Sequence, residues 1–418
     1  MFFFTLQGDL DKQKSTFFNN VCSILKEGTT FQHETSIIYL SNKQHLKEEF
    51  LLLKAAILKK ATKMSSWGKE LPSRWIHWEA LLDNEHEAGS NILPFHLVAD
   101  LLPKDDSLLT CHDDEISLFL RYQHECGHVI FFEVLPDFVI LNPRWLIDSF
   151  KCLVSAPMFQ ANLISSEDLK ELEETGRLTD TVFTKLFEKV KDLDSKKCRK
   201  HLLLVLEKFD IIVKPYEIED MTSYYMPCLI RPSSFEQICS NFGVHEKTCH
   251  RTSWLLLEFE FLPPAFFNHI LVDYIRNLRV SVESTKDGGR LSFYRGIGVF
   301  NTKETDCEKL VICAHRDSIA VQIWIFSKVS DSVFHDYPQI LMNLVDKLSK
   351  RYQICCKYKV KMKCRTSDYR KTEDRKECKD LQGLKDYYCT EHKIAHQCSD
   401  VYRYWFSDKV IVSYTCNY

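Results

Sequence analysis

Residues 126–150, CGHVIFFEVLPDFVILNPRWLIDSF, constrain the fold more than any other stretch of the chain. Two β-branched and aromatic runs, 128–133 and 138–141, flank a turn with Pro136 and Asp137, which is the pattern of a short hairpin. A helix follows at once: the Asn142 side chain can cap it, Pro143 suits its first position, and Leu146, Phe150 and Leu153 repeat along one face. Another helix precedes the hairpin. Asp113, Asp114 and Glu115 place negative charge at its N-terminus, Ile116, Phe119 and Leu120 form its stripe, and Gly127 can close it. The spacing predicts helix, hairpin, helix, a packed unit with no evident chemistry.

With 418 residues, 45% of them hydrophobic, the chain can bury a substantial core, and its length predicts two or three domains. A net charge of -3 supplies neither a basic field for nucleic acid nor an acidic tail. The opening MFFFTLQGDLD has an apolar run without a basic flank and makes a poor signal peptide. No later run approaches the ~20 apolar residues of a membrane span. The expectation is a cytoplasmic protein whose 17 cysteines are mostly reduced thiols or metal ligands. Cys228, Cys239 and Cys313, among apolar neighbours, read as core.

Trp67-Gly68, Pro72 and Arg74-Trp75-Ile76, followed by 126–150, resemble the COR domain of Roco proteins, the module that follows the Ras-like Roc GTPase in that family. The resemblance spans 67–364 and implies a dimerisation and coupling module attached to a GTP switch. It implies a winged-helix-like helical first COR half over 64–235 and an antiparallel-sheet second half over 236–364 that makes the homodimer contact. It also places the junction with the GTPase at Trp67, Pro72, Trp75 and Trp145. Residues 1–63 then resemble the end of a Roc domain, with a buried strand at 36–40 and a helix at 48–61 carrying Phe50, Leu53, Ile57 and Leu58 on one side. The phosphate loop G-x-x-x-x-G-K-[ST] of such a GTPase, whose backbone N–H groups cradle phosphate, is absent from the sequence. Gly68-Lys69 lacks the upstream glycine and the hydroxyl, and Gly288-Gly289-Arg290 lacks the lysine. Intrinsic GTP hydrolysis is therefore not expected, and a Roc-type GTPase domain, in cis in a longer form or in trans, is the expected partner. The tryptophans have a plainer reading beside this one: Trp75, Ile76, Glu79, Ala80 and Leu82 form an amphipathic helix whose aromatics are core.

Downstream, Ser165 and Asp168 predict a capping box for a helix ending near Gly176, and further helices are expected at 180–190 and 196–208. Short strands are expected at 211–213 and 224–230, which makes a winged-helix-like pattern. The helix from Asn142 bears only Arg144 and Lys151 against Asp148, too little charge to hold a DNA backbone. Residues 233–252 are polar and loosely patterned, and read as a boundary. A strand at 253–260, a helix opened by Pro263-Pro264, β-rich runs at 291–300, 309–314 and 318–326, a helix at 335–351 and a strand at 357–364 complete an α+β layer. Gly296 and Gly298 read as a strand bulge.

The tail, 365–418, is small and rich in Cys and His. Cys364, Cys378, Cys389, His392, His396 and Cys398 gather in a short stretch, and Cys389-x-x-His392 has metal-ligand spacing. Cys364, Cys378, Cys389 and His392 are the candidate ligands for a structural zinc, the one cofactor the pattern admits; scattered thiols are the alternative. Residues 351–398 hold 13 Lys/Arg against 7 Asp/Glu, a local basic face open to an acidic partner, so a zinc-containing adaptor stands beside the scaffold reading. No G-x-S-x-G elbow or H-E-x-x-H is present, and Cys126 and His128 have no third group to make them a nucleophilic pair. The expected function is a non-catalytic regulatory scaffold, with the C-terminal part of a longer Roco GTPase as the alternative.

Overall fold

The computed structural model describes residues 12, 14–19, 38, 47–65, 67–102, 112–154, 164–188, 190, 196–216, 224–285, 288–302, 306–327, 333–381 and 384–406. It divides into two compact units, residues 1–76 and 77–418. Helix α1 (Lys47–Ala61) forms where the apolar spacing places it. Ile57 and Leu58, expected on its inner side, are exposed. The strand expected over 36–40 lies outside the described residues apart from Ile38. Helix α2 (Ser73–Glu87) buries Trp75, Trp78 and Leu82 and leaves Ile76 in solvent, because a 3.6-residue period aligns positions three and four apart and turns the neighbour of Trp75 away.

The helix, hairpin, helix unit forms as its residues dictate. Helix α4 (His112–Cys126) buries Ile116, Phe119 and Leu120 and packs Phe119 edge-on against Trp78 of α2 at 5.4 Å. Strands β2 (Ile130–Phe131) and β3 (Phe138–Ile140) pair, and β1 (Ile92–Pro94), ahead of the short helix α3 (Phe95–Leu101), adds to the other side of β3. Asn142 caps α5 (Pro143–Val154): its Oδ1 accepts from the Arg144 amide at 3.0 Å while its Nδ2 donates to Asn91 at 2.8 Å. Helices α6 (Ser166–Thr175), α7 (Asp180–Phe187) and α8 (Lys196–Lys208) then close an apolar cluster around Leu146, Leu172, Phe183 and Val205. Ser165 Oγ accepts from the Asp168 amide at 3.1 Å, as the capping box requires. The strand expected at 211–213 makes only the bridge Val213 to Tyr225; β5 (Tyr224–Tyr225) pairs instead with β4 (Arg177–Leu178), directly after the α6 cap.

A second and larger core surrounds an antiparallel sheet in the order β10-β11-β12-β13-β7-β14-β15, with β6 also on β13. These strands are β6 (His250–Arg251), β7 (Trp254–Phe259), β10 (Phe293–Tyr294), β11 (Ile297–Asn301), β12 (Glu308–His315), β13 (Ser318–Ile325), β14 (Tyr358–Lys363) and β15 (Lys376–Glu377). A separate hairpin of β8 (Val282–Thr285) and β9 (Gly288–Leu291) lies between them in sequence. Residues 233–252, expected as a loose boundary, carry helix α9 (Phe235–Asn241), capped by Ser234, and β6. Their apolar minority decides this, since Phe235 and Phe242 pack on Trp254 and Trp324 of the sheet. Helices α10 (Phe266–Asn277) and α11 (Asp336–Tyr352) contribute Ile270, Ile275, Leu341 and Val345 to the core. Gly296 turns the chain between β10 and β11 rather than bulging a strand, and Gly298 sits in β11, where a Cβ would stand 2.6 Å from Leu271 Cδ1 of α10. The chain after β14 belongs to this core as well: Tyr404, Trp405 and Phe406 are buried in it, and Trp405 Nε1 donates to the Ser253 carbonyl at 3.1 Å.

Gly176 ends α6 in the left-handed conformation, φ 71, and its missing Cβ leaves room for Ile230, whose Cδ1 lies 2.5 Å from where a Cβ would be. Gly176→Ala therefore adds backbone strain to a clash, and a loss of about 2–3 kcal/mol is expected in urea unfolding.

Candidate metal centre

Among the described residues, four soft or imidazole donors converge: Cys364, Cys389, His392 and His396, with their ligand atoms within 4.8 Å of one another. Strand register builds most of the cluster. Strands β16 (Asp386–Cys389) and β17 (Ile394–Gln397) form a hairpin in which Tyr387 opposes His396 and Cys389 opposes Ile394. Alternation buries Tyr387 and Cys389 on one face, and His396, across from Tyr387, falls on that same face. The loop between the strands reverses through Lys393 at φ 57 and carries His392 back over Cys389, with Nδ1 3.3 Å from Sγ. Asp374 pins this loop, because its Oδ2 accepts from the Thr390 amide and hydroxyl at 2.8 Å each and from the Glu391 amide at 3.0 Å.

Cys364 arrives from the end of β14. Its Sγ lies 3.3 Å from His392 Nδ1 and 2.8 Å from Ser367 Oγ. Two buried polar side chains hold the backbone around it. Lys363, fully enclosed, donates from Nζ to the carbonyls of Asp368 and Lys371 at 2.8 and 3.1 Å and pairs with Glu391 at 3.4 Å. Gln322 Nε2 donates to the Arg365 carbonyl at 2.8 Å. The two imidazole rings stand perpendicular with centroids 5.6 Å apart, so they approach one point from different directions. His392 Nε2 lies 3.3 Å from Thr366 Oγ1, whereas His396 Nε2 is buried with no hydrogen-bond partner. Burial pushes the Cys389 thiol up and the His396 imidazole down, so both favour their neutral forms. Two sulfurs and two nitrogens around one centre suit a borderline-soft divalent ion in tetrahedral coordination.

Three of the four residues named from spacing, Cys364, Cys389 and His392, come together here, and His396 is the fourth member. The H-x-x-x-H spacing of His392 and His396 is the signal that finds it, once both are placed on one hairpin. Cys378 opens the short helix α12 (Cys378–Leu381), and its side chain lies outside the described residues. Cys398 is buried next door at the start of α13 (Ser399–Tyr402) but is not part of the donor set. Of the residues named for a junction, Trp67 and Pro72 are exposed, Trp75 is buried, and Trp145 is buried within the helical cluster. No described helix is long and apolar enough to cross a membrane.

No protein-family model matches the chain. A curated protein, the probable serine/threonine-protein kinase pats1 of Dictyostelium discoideum, is 22% identical over 276 residues, 58% of this chain but only 8% of that protein. A solved structure of Methanosarcina barkeri Roco2 RocCORdC bound to GDP is similar with a TM-score of 0.32 and 12% identity, over 53% of this chain and 69% of that one.

Since Asp374 alone accepts three bonds from the loop between β16 and β17, Asp374→Ala should release it. The expected outcome is faster hydrogen exchange at the Thr390 and Glu391 amides, by about tenfold or more per lost charge-assisted bond of roughly 1.5–3 kcal/mol.

Proposed function

We propose that this chain is a non-catalytic regulatory scaffold of Roco type, in which a winged-helix-like helical half and a sheet half couple a GTPase domain, in cis or in trans, to self-association. The observation that carries the reading is the joint between the two halves of the second unit. The chain first passes from the helical core to the sheet core between Ile212 and Val213, and Met226 returns to the helical core before Ile230 rejoins the sheet core. Just before the first of these crossings Asp210 takes φ 56, a conformation Asp tolerates better than most residues, and is almost fully buried. Its carboxylate accepts from His269 Nδ1 at 3.0 Å and Arg276 at 3.2 Å, both on α10, and from Arg351 at 2.7 Å on α11. His269 Nε2 is then left to accept from the Tyr352 hydroxyl at 2.9 Å. One side chain from the helical half thus binds two helices of the sheet half, as a part that passes movement between the halves would.

The resemblance over 67–364 supports the family side of this reading, and so does the curated relative, in which a segment of this kind occupies a small fraction of a much larger protein. The kinase activity in that relative's name is not carried over. The H-R-D triplet of this sequence, His315-Arg316-Asp317, ends β12 and turns into β13, and the Asp317 carboxylate accepts from the Leu262 amide at 3.3 Å.

Burial alone would raise the Asp210 pKa; the contacts with His269, Arg351 and Arg276 reverse this and hold it below the usual carboxylate range. A depressed folded pKa gives stability that is complete above the unfolded value of about 4 and is lost as pH falls through the folded one. Asp210→Asn should therefore cost about 1–3 kcal/mol near neutral pH, with the gap to the parent chain closing below about pH 4 in urea titrations. Light scattering over a hundredfold concentration range tests self-association: a mass of twice 49.2 kDa is expected, and a monomer throughout would remove it from the proposal.

A further inference from the structure

We infer that Cys364, Cys389, His392 and His396 form a closed structural Zn²⁺ site, with the ion held by two thiolates, His392 Nδ1 and His396 Nε2. Ligands at about 2.3 Å (sulfur) and 2.0 Å (nitrogen) from a tetrahedral centre lie roughly 3.3–3.8 Å from one another. Both Sγ to Nδ1 separations here are 3.3 Å, and the whole donor set fits within 4.8 Å. Such convergence comes from two hairpin strands, a loop and a distant strand end, with a sequence separation of 25 between the two cysteines, so no local turn chemistry accounts for it.

The nitrogen assignments follow from what surrounds each ring. Thr366 Oγ1 can accept from His392 Nε2–H, which fixes the tautomer and leaves the Nδ1 lone pair directed at both sulfurs. His396 Nε2 is buried without a partner, a deficit that ligation removes. Ser367 Oγ, 2.8 Å from Cys364 Sγ, can donate to the thiolate. The Cys389 thiol contact to Asp374 Oδ2 at 3.5 Å is given up when the proton leaves, and Asp374 keeps its three loop donors.

Charge balance selects a divalent ion. Binding breaks two S–H bonds, forms two metal–sulfur bonds and releases two protons to solvent, with no oxidation or reduction; the resulting centre is neutral, which a buried site tolerates far better than a net charge. A Cys364–Cys389 disulfide would need an oxidant and would leave both imidazoles converging on nothing. Four protein donors leave no open position for water, so the ion is structural rather than hydrolytic. Its effect is to tie the end of β14 to the β16–β17 hairpin, ahead of the segment that delivers Tyr404, Trp405 and Phe406 to the sheet core.

The test is the metal content of the full chain, purified in reducing buffer from zinc-supplemented cells, together with its Co²⁺-substituted spectrum. One zinc per chain is expected, and cobalt should give the intense visible bands of a tetrahedral site with the thiolate charge-transfer absorption of two sulfurs. Cys389→Ser and His396→Ala should lower zinc content at least tenfold, while Cys398→Ala, at the buried cysteine outside the donor set, should retain it. Because the cobalt spectrum reads the donor set in the parent chain, misfolding of a ligand variant does not blur the result. A reduced chain without stoichiometric zinc, a cobalt complex lacking thiolate charge transfer, or full zinc retention by Cys389→Ser overturns the assignment.

Discussion

A strand buried on both faces must be covered from both sides, and β13 is buried along its whole length from Ser318 to Ile325, with β7 beside it buried at every position but Glu258. Most of the larger core follows from that demand. One face, with Leu255 and the Gly298 position of β11, receives α10, which approaches so closely that glycine is required at the contact. The other face carries Trp254 and Trp324 and takes Phe235 and Phe242 from around α9 and Tyr369 from the loop after β14. Each buried tryptophan removes well over 100 Å² from water, so the apolar minority of a polar segment is enough to dock it. The chain beyond β14 is held by the same need and is not an appendage.

Burying so much backbone and so many polar groups leaves little tolerance for unpaired atoms, and the structure meets this with a few enclosed side chains that make several bonds each. Gln322, wholly buried, donates to the carbonyls of Thr252 and Arg365 and accepts from Trp324 Nε1. Lys363 gathers two carbonyls and Glu391, and Asp210 gathers an imidazole and two guanidinium groups. These three residues stand at the seams: sheet to following loop, strand end to Cys/His hairpin, helical half to sheet half. His396 Nε2 is among the buried atoms left without a hydrogen-bond partner, and its residue belongs to the four-residue donor cluster.

Local chemistry was readable along much of the chain. Asn142, Pro143 and Gly127 around the first hairpin, Ser165 and Gly176 at the ends of α6, and the apolar period of α10 and α11 all do in the structure what their spacing predicts. The α+β class follows from them, and the Cys389-x-x-His392 spacing points to the Cys/His cluster near the C-terminal end. The misplacements share a cause. Residues 233–252 look like a linker because their polar residues outnumber the anchors, and the strand at 211–213 is short enough for β4 to win its partner.

The sequence by itself determined most of the helices and strands and where they are capped, that no phosphate loop is written in it, and that Cys389 and His392 are spaced to share a metal ion. These are matters of residue type within a few positions, where backbone sterics and side-chain reach decide. Only the tertiary structure decided that His396 completes the set with Cys364, Cys389 and His392, that Asp210 would meet His269, Arg276 and Arg351, and that the last described segment would fill the sheet. Those meetings join residues up to about 150 positions apart, and they are set by strand register and by which buried surfaces must be covered, neither of which any local pattern contains.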